Sequence, residues 1–162
     1  MINYRQEDRA TSILRLQCKH EVVPVSEEIS HPVIDFVIVA DRAEGVNGKL
    51  YLMGGAWDRM VWPNLNAPIP FGFAVGVLVP WNRTNEEIPF TVAVEDEDGI
   101  KVQPDIHATV NLGRPPSSVL GQPFRAIVAV NGIWKFPKYG GYVIRATIES
   151  SEKRVRFFLA PQ

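Results

Sequence analysis

The sequence has one cysteine, Cys18, among its 162 residues. A lone cysteine cannot form an internal disulfide, so the fold must be stabilised by its core, as is usual in a reducing compartment. Residues 1–10 also lack the apolar stretch of a secretory signal. A cytoplasmic location is therefore expected.

The sequence also has no excess of charge of either sign. The 17 lysines and arginines are balanced by 18 aspartates and glutamates, so no basic field favours phosphate binding and no nucleic-acid partner is expected. A long apolar run is also missing, because the longest, Phe71–Trp81, is interrupted by glycines and Pro80. It is shorter than the roughly 20 residues that a membrane helix needs, so no membrane partner is expected.

What the sequence does contain is a series of short β-like runs. Hydrophobic residues make up 46% and charged residues 22% of the chain, which is ordinary globular composition. From Val33 onward, roughly eight runs rich in β-branched and aromatic residues alternate with Gly, Pro, Asn and Asp. Most runs have period two, as in residues 71–79, where large and small residues alternate. This pattern predicts an all-β, two-sheet antiparallel β-sandwich over residues 33–162, immunoglobulin-like or a similar Greek key.

The connections between the runs agree with a sandwich. The Asn47-Gly48 and Asp98-Gly99 dipeptides supply the positive φ of tight hairpins. Asp41, Gly48, Asp58 and Gly99 are predicted to be structural turn residues. The two aspartates are expected to accept hydrogen bonds from backbone amides. The longer links, at residues 63–70, 80–89 and 113–122, are predicted to carry the chain between the sheets.

A polar N-terminal lead, residues 1–32, precedes the sandwich. It contains a possible short helix over Glu7–Gln17 but too few apolar residues for a core of its own. The first strand-like run, Val37–Ala40, is apolar on both phases and so needs cover on a face that a simple sandwich leaves wet. We expect the lead or a partner to cover this strand, as a strap in the same molecule or as an arm exchanged with a neighbour.

Two stretches carry a resemblance to known proteins. Residues 40–59 begin with Ala40-Asp41, turn at Gly48-Lys49 and end near the pair Trp57-Asp58, and residues 136–142 read Phe-Pro-Lys-Tyr-Gly-Gly-Tyr. They resemble the first and last hairpins of a family of small uncharacterised bacterial β-sandwich domains. The resemblance covers residues 33–161 and implies that fold, although the long lead departs from the family. It implies no activity, cofactor or site residue, because none can be transferred from the family.

Catalytic and metal-binding patterns are weak in this sequence. His20, His31 and His107 are far apart, and none is spaced with cysteine or a carboxylate as zinc ligands are. Ser117 lies in a loop without the strand-to-helix elbow of a nucleophilic serine. We therefore predict no catalytic residue, no metal site and no cofactor.

Two groups of residues are candidates for binding. Aromatic residues near predicted strand ends would converge either as an interaction surface or as plugs of the sandwich ends; they are Trp57, Trp62, Trp81, Trp134, Phe136 and Tyr139. Three late strands carry arginines on their outward phase. These arginines would form either a basic row that binds an anion or an acidic partner, or simply a solvated face. They are Arg125, Arg145 and Arg156.

Three classes of function follow, in this order. The absence of a coherent catalytic set favours a non-catalytic protein-interaction or structural module, such as a subunit of a larger assembly, with a protein partner or self-association. The alternative is a small-ligand or carbohydrate-binding module, which an exposed planar row of Trp and Tyr would support. An enzyme with a site assembled from distant loops ranks third, and Asp41 and Asp58 at one cleft would favour it.

Overall fold

The computed structural model of the chain describes residues 29–162. The predicted helix at Glu7–Gln17, together with Cys18 and His20, lies outside the described residues. The first strand begins at Val33, where the sequence pattern changes.

Within residues 29–162, nine strands form two sheets, and the predicted all-β sandwich is confirmed. The strands are β1 (Val33–Val46), β2 (Lys49–Gly55), β3 (Arg59–Val61), β4 (Ile69–Val79), β5 (Ile88–Asp96), β6 (Ile106–Val110), β7 (Phe124–Trp134), β8 (Gly140–Ile148) and β9 (Ser151–Ala160). One sheet has the order β2-β1-β4-β7 and the other the order β3-β9-β8-β5-β6. All neighbours are antiparallel except β3 and β9, a parallel pair that the sequence did not indicate.

The three long links cross between the sheets, as predicted. The first joins β3 of the five-stranded sheet to β4 of the four-stranded sheet, the second joins β4 to β5, and the third joins β6 to β7. The second link includes one 3-10 turn, Trp81–Arg83. Residues 29–162 contain no helix long and apolar enough to span a lipid bilayer.

The predicted inward phases supply the core. β4 alternates large inward side chains with small outward residues, and its inward residues from Phe71 to Val79 are all at most 1% exposed. Ile88–Val94 on β5 and Tyr142–Ile148 on β8 contribute their alternate residues from the other sheet. Because two apolar faces meet, water is excluded from both, which is the main stabilising term for such a fold.

The end of β1 crosses over the outer face of its own sheet. Ala40 pairs with Gly72 on β4, and Asn131 of β7 pairs with Gly72 from the opposite side. Three residues later, the Ala43 amide donates to the Asn131 side-chain oxygen at 2.9 Å, and the Asn131 amide nitrogen donates to the Ala43 carbonyl at 2.7 Å. β1 can reach Asn131 only by passing over β4, whose outward residues there are small.

This crossing explains in part why the run Val37–Ala40 in β1 is apolar on both phases. Val37 and Val39 pair with core residues of β4, whereas Ile38 and Ala40 lie on the outer phase. Ala40 is nevertheless 0% exposed. The chain's own β1–β2 hairpin therefore provides cover on the outer face, a source that the sequence analysis did not consider.

We predict that Asn131→Ala destabilises the fold by about 1–3 kcal/mol, because it leaves the Ala43 amide and carbonyl without their side-chain partner. Urea unfolding followed by tryptophan fluorescence would measure the change. Asn111→Ala, which removes the same side chain from an exposed position, is the matched control and should shift stability by less than about 0.5 kcal/mol. Equal stability of the two variants would contradict the role given to Asn131.

Candidate functional site

Five of the six candidate aromatic residues form an internal plug rather than a surface. Trp134 is 2% and Phe136 4% exposed, and both pack on Phe71, with ring centroids 5.1 and 6.0 Å away. Trp57 lies 5.8 Å from Phe71, edge to face. Trp62 and Tyr139 pack against the same core at its margin, where the Tyr139 hydroxyl donates to the Trp62 carbonyl. These five rings pack as plugs of the sandwich end, which is the second of the two arrangements expected for them. Trp134 and Phe136 are buried, whereas Trp57, Trp62 and Tyr139 remain partly exposed.

Trp81 does not join this plug. It lies in the link between β4 and β5, where its ring is 5.9 Å from the Phe124 ring. The Arg114 guanidinium stacks over it, 4.8 Å from the ring centroid. Trp81 therefore holds the β6–β7 link against the end of the sandwich and presents no open aromatic face with the other tryptophans.

The predicted basic row does not form. Arg125 lies on β7 in the four-stranded sheet and is paired with Asp35 at 2.7 Å. Arg145 lies on β8 in the other sheet, and Glu95 accepts two hydrogen bonds from it. Arg156 shares the outer face of that second sheet with Arg145. The three arginines do not form one row because the chain changes sheets between β7 and β8, so the outward phase of β7 faces away from that of β8 and β9.

Of the predicted turn residues, Gly48 and Gly99 are found at turns and Asp58 at the bend before β3, whereas Asp41 lies inside β1. Gly48 and Gly99 have φ values of 72° and 78°, as tight turns require. The Asp41 carboxylate occupies the space that a side chain at Gly54 would need, which is a contact within the first hairpin. Among residues 29–162, neither Asp41 nor Asp58 accepts a hydrogen bond from a backbone amide, so the predicted mode of capping is not present there.

The outer face of the five-stranded sheet carries a cleft of about 420 Å³ around Phe158. Phe158 on β9 pairs with Gly141 on β8, and the preceding residue on that phase, Arg156, pairs with Val143. Because β3 runs parallel to β9, it brings Asp58 to the open side of Phe158, whose amide donates to the Asp58 carbonyl at 2.8 Å. The Phe158 side chain is 46% exposed, although it is apolar.

Gly141 forms the floor of the Phe158 cleft. Any side chain there would meet the Glu97 carboxylate, which lies directly over the Gly141 backbone. Glu97 follows the end of β5 and so forms the wall opposite Phe158. The cleft therefore exists because β8 has no side chain at this one outward position.

The charges around the cleft differ from those elsewhere on the domain. Most charged side chains on the rest of the surface form ion pairs, as Arg83 does with Glu149. In the part of the chain that the structure describes, four charged residues around Phe158 have no ion-pair partner; they are Asp58, Arg59, Glu97 and Arg156. Two carboxylates and two guanidinium groups are thus available to a ligand that also contacts the ring.

The turn that carries Glu97 is fixed by a buried carboxylate. Asp96 is 5% exposed, although the acidic sequence predicts a solvated hairpin end. Its side chain accepts hydrogen bonds from the amides of Ile100 at 2.8 Å and Asp98 at 3.0 Å, and the Lys138 ammonium lies 3.0 Å away. The hydrogen bond from the Ile100 amide, followed by that from Lys138, lowers the pKa of Asp96 below its ordinary value of 3.8.

Metal binding finds no support in this part of the molecule. His31 is exposed beside Ser30, and the His107 ring lies 3.3 Å from the Thr91 hydroxyl. Over residues 29–162, no three His, Cys, Asp or Glu side chains are grouped so that they could hold a metal ion. The described residues that line the Phe158 cleft also include no histidine, serine, cysteine or lysine. The arrangement can bind charged and apolar groups, and the carboxylates of Asp58 and Glu97 are the groups in the described lining that could act as a base or a nucleophile.

The sequence analysis missed Phe158, although a signal for it exists. Phe157 and Phe158 are adjacent in a period-two strand, so one of the two rings must point out of the core. Phe157 is 3% exposed, which leaves Phe158 as the outward ring. The sequence gives no such signal for Gly141. The role of this glycine becomes visible only in the tertiary structure, where Glu97 lies over its backbone.

We predict that Asp96 contributes stability that depends on pH. Because its pKa is lowered by folding, the contribution is fully present above pH 3.8 and is lost as the pH falls through the lower pKa of the folded state. Asp96→Asn should therefore lower the melting temperature at pH 7, and the gap between the two proteins should narrow toward pH 2. Asp98→Asn, at the exposed neighbour, is the control. A gap that is constant with pH would contradict the assignment.

Comparison with known proteins identifies a family of unknown function. No curated protein matches the chain. Residues 35–158, which include β8 and most of β9 up to Phe158, match a family of unknown function, DUF6941. The sequence resemblance to an uncharacterised domain family is thereby confirmed. The match covers most of the chain, and we conclude that this protein belongs to the DUF6941 family.

Proposed function

We propose that this domain is a non-catalytic protein-interaction module, and that the Phe158 cleft binds a short segment of a partner protein. The observation that carries the proposal is an exposed phenylalanine in a cleft, surrounded by unpaired charges of both signs. An exposed ring in a pocket is the type of contact that supplies most of the energy at protein interfaces. Charges at the rim add selectivity and rate of association.

The charges define the chemistry of the segment. Asp58 and Glu97 would attract a basic side chain, and Arg156 would attract an acidic one or a backbone carbonyl. Phe158 and Val143 would contact an apolar or aromatic side chain, with the Glu97 carboxylate over Gly141 at its side. We therefore expect the bound segment to carry an apolar residue flanked by residues of opposite charge.

The other two functions have less support in the structure. A carbohydrate-binding module would use an exposed row of tryptophans and tyrosines, whereas Trp134 is buried and Trp57, Trp62 and Trp81 are packed at the margins. An enzyme was expected to bring Asp41 and Asp58 to one cleft. Asp58 lines the Phe158 cleft, but Asp41 lies against Gly54 in the first hairpin.

The setting of the module is also a proposal. The lone Cys18 favours a reducing compartment, and the resemblance to bacterial domains favours a bacterial cytoplasm. In that setting the domain would serve as one subunit of a larger assembly, with the Phe158 cleft as its contact.

The proposal predicts that peptides selected from a random display library against the full chain bind through Phe158. Phe158→Ser should weaken their binding about 30-fold, which corresponds to the loss of about 2 kcal/mol typical of a central aromatic contact. Gly141→Ala should weaken it similarly, because the added methyl group fills the floor and displaces only the flexible end of Glu97. Isothermal titration calorimetry would measure both effects.

Tyr51→Ser is the matched control, because Tyr51 is an aromatic residue of similar exposure, 54%, on β2 of the other sheet. It should leave peptide binding unchanged. Circular dichroism should show all three variants folded, since none of the residues contributes a core side chain. Selected peptides that bind equally well to Phe158→Ser, or a selection that yields no binder dependent on Phe158, would contradict the proposal.

A further inference from the structure

β2 is an edge strand with apolar side chains on both of its faces. Within residues 29–162 it ends the four-stranded sheet and pairs with β1 on one side only. Tyr51 is 54% and Met53 66% exposed, whereas Leu50 and Leu52, on the opposite phase, are half-buried. Strands that are apolar on both phases are typical of the inside of a sheet, where a neighbouring strand lies on each side.

The open edge of β2 has little of the protection that edge strands usually carry. Its only charge is Lys49, the first residue of the strand, and it contains no proline. Its pairing with β1 keeps one register, from Lys49 opposite Val46 to Gly55 opposite Ala40. Edges that stay open are normally guarded by charges, prolines or bulges. The edge of β2 is therefore suited to pairing with a further strand.

The hydrogen bonds of Ala43 show which backbone groups of β2 face the open edge. Ala43 lies opposite Leu52, and its amide and carbonyl bond to the Asn131 side chain. Ala43 and Leu52 are therefore a pair that exchanges no backbone hydrogen bonds, so the N–H and C=O of Leu52 point away from β1. The alternation of antiparallel pairs directs those of Leu50 and Gly54 the same way. These groups have no partner strand in the described part of the chain.

A second copy of β2 fits this edge, because the strand is complementary to itself. Two identical strands that pair around a two-fold axis run antiparallel. When the whole strand is paired, the axis passes through its middle residue, Leu52. Tyr51 then lies opposite Met53 of the partner subunit, and a methionine sulfur beside an aromatic ring is a favourable contact. Lys49 lies opposite the small Gly55 of the partner subunit, so no like charges face each other.

We propose that the protein forms a two-fold symmetric dimer through antiparallel pairing of β2 with β2 of a second copy. The pairing joins two four-stranded sheets into one continuous sheet and satisfies the edge groups of Leu50, Leu52 and Gly54. One strand pair buries less area than the roughly 1,600 Å² of a standard interface, so we expect a dissociation constant on the order of 10 µM. The Phe158 cleft lies on the other sheet, so the dimer is independent of peptide binding there.

Mixed disulfides test the register. In the full chain with Cys18→Ser, the variants Tyr51→Cys and Met53→Cys each add one thiol at an exposed position of β2. Opposite residues that exchange no backbone hydrogen bonds lie close enough for a disulfide. An equimolar mixture at about 100 µM, oxidised mildly, should give linked heterodimer in at least about tenfold excess over either homodimer. Mass spectrometry distinguishes the three products, because the two variants differ in mass.

The same mixture can contradict the proposal in three ways. Tyr51→Cys linked mainly to itself would place the axis at residue 51 and overturn the register. Equal amounts of the three linked products would mean that the strands have no fixed register. A mixture that remains monomeric under oxidation would rule out the dimer itself.

Paired charges test the dimer without added cysteines. Tyr51→Glu with Met53→Glu places like charges directly opposite each other in the dimer, whereas Tyr51→Lys with Met53→Glu places opposite charges there. Both double variants lose the same two apolar side chains, so a difference between them reports on the pairing. In sedimentation velocity experiments at about 50 µM, we expect the Glu–Glu variant to dissociate at least about tenfold more readily than the Lys–Glu variant.

Val119→Glu with Leu120→Glu is the matched control. It adds the same two charges to apolar residues that are 66% and 81% exposed, in the link between β6 and β7. This variant should sediment as the unsubstituted chain does. The dimer is refuted if the unsubstituted chain is monomeric at this concentration, or if the Glu–Glu and Lys–Glu variants sediment alike.

Discussion

Phe71 packs against aromatic rings that come from both sheets, and the position of the Phe158 cleft depends on this packing. Its ring contacts Trp134 on its own sheet, Phe157 on the other, and Trp57 and Phe136 from the connections. Aromatic side chains bury large areas and prefer edge-to-face or offset geometry, so such a cluster fixes distance and orientation together. It holds the ends of the two sheets in one relative position.

The Phe158 cleft is the outer side of the same strand pair. Tyr142 and Phe157 are partners that face the plug, and the adjacent partners, Gly141 and Phe158, face outward. Side chains alternate between the two faces of a strand. A strand whose inward rings are tightly packed therefore also holds the backbone of its outward residues in place. The β8–β9 pair thus presents the Phe158 ring on the outer face, with charged side chains beside it.

The four-stranded sheet solves a different problem. Its central strand, β4, is apolar on both faces, so the outer face needs cover. Small residues at Gly72 and Ala74 let the β1–β2 hairpin cross that face, and the Asn131 side chain supplies the two hydrogen bonds that a neighbouring strand would otherwise give to Ala43. Within residues 29–162 the sheet therefore ends on β7, and the hairpin covers its outer face.

The sequence by itself determined the sandwich, because burial on one face imposes period two on every strand and tight hairpins demand Gly or Asn at Gly48 and Gly99. Those are local constraints, and they can be recognised one run at a time. Which sheet each strand joins is not local, since it depends on how β7 and β8 alternate between sheets. That change of sheet separated Arg125 from Arg145. The parallel pairing of β3 with β9 and the fold of Glu97 over Gly141 are likewise decided only in the tertiary structure. They depend on residues far apart in the chain, and those contacts create the cleft.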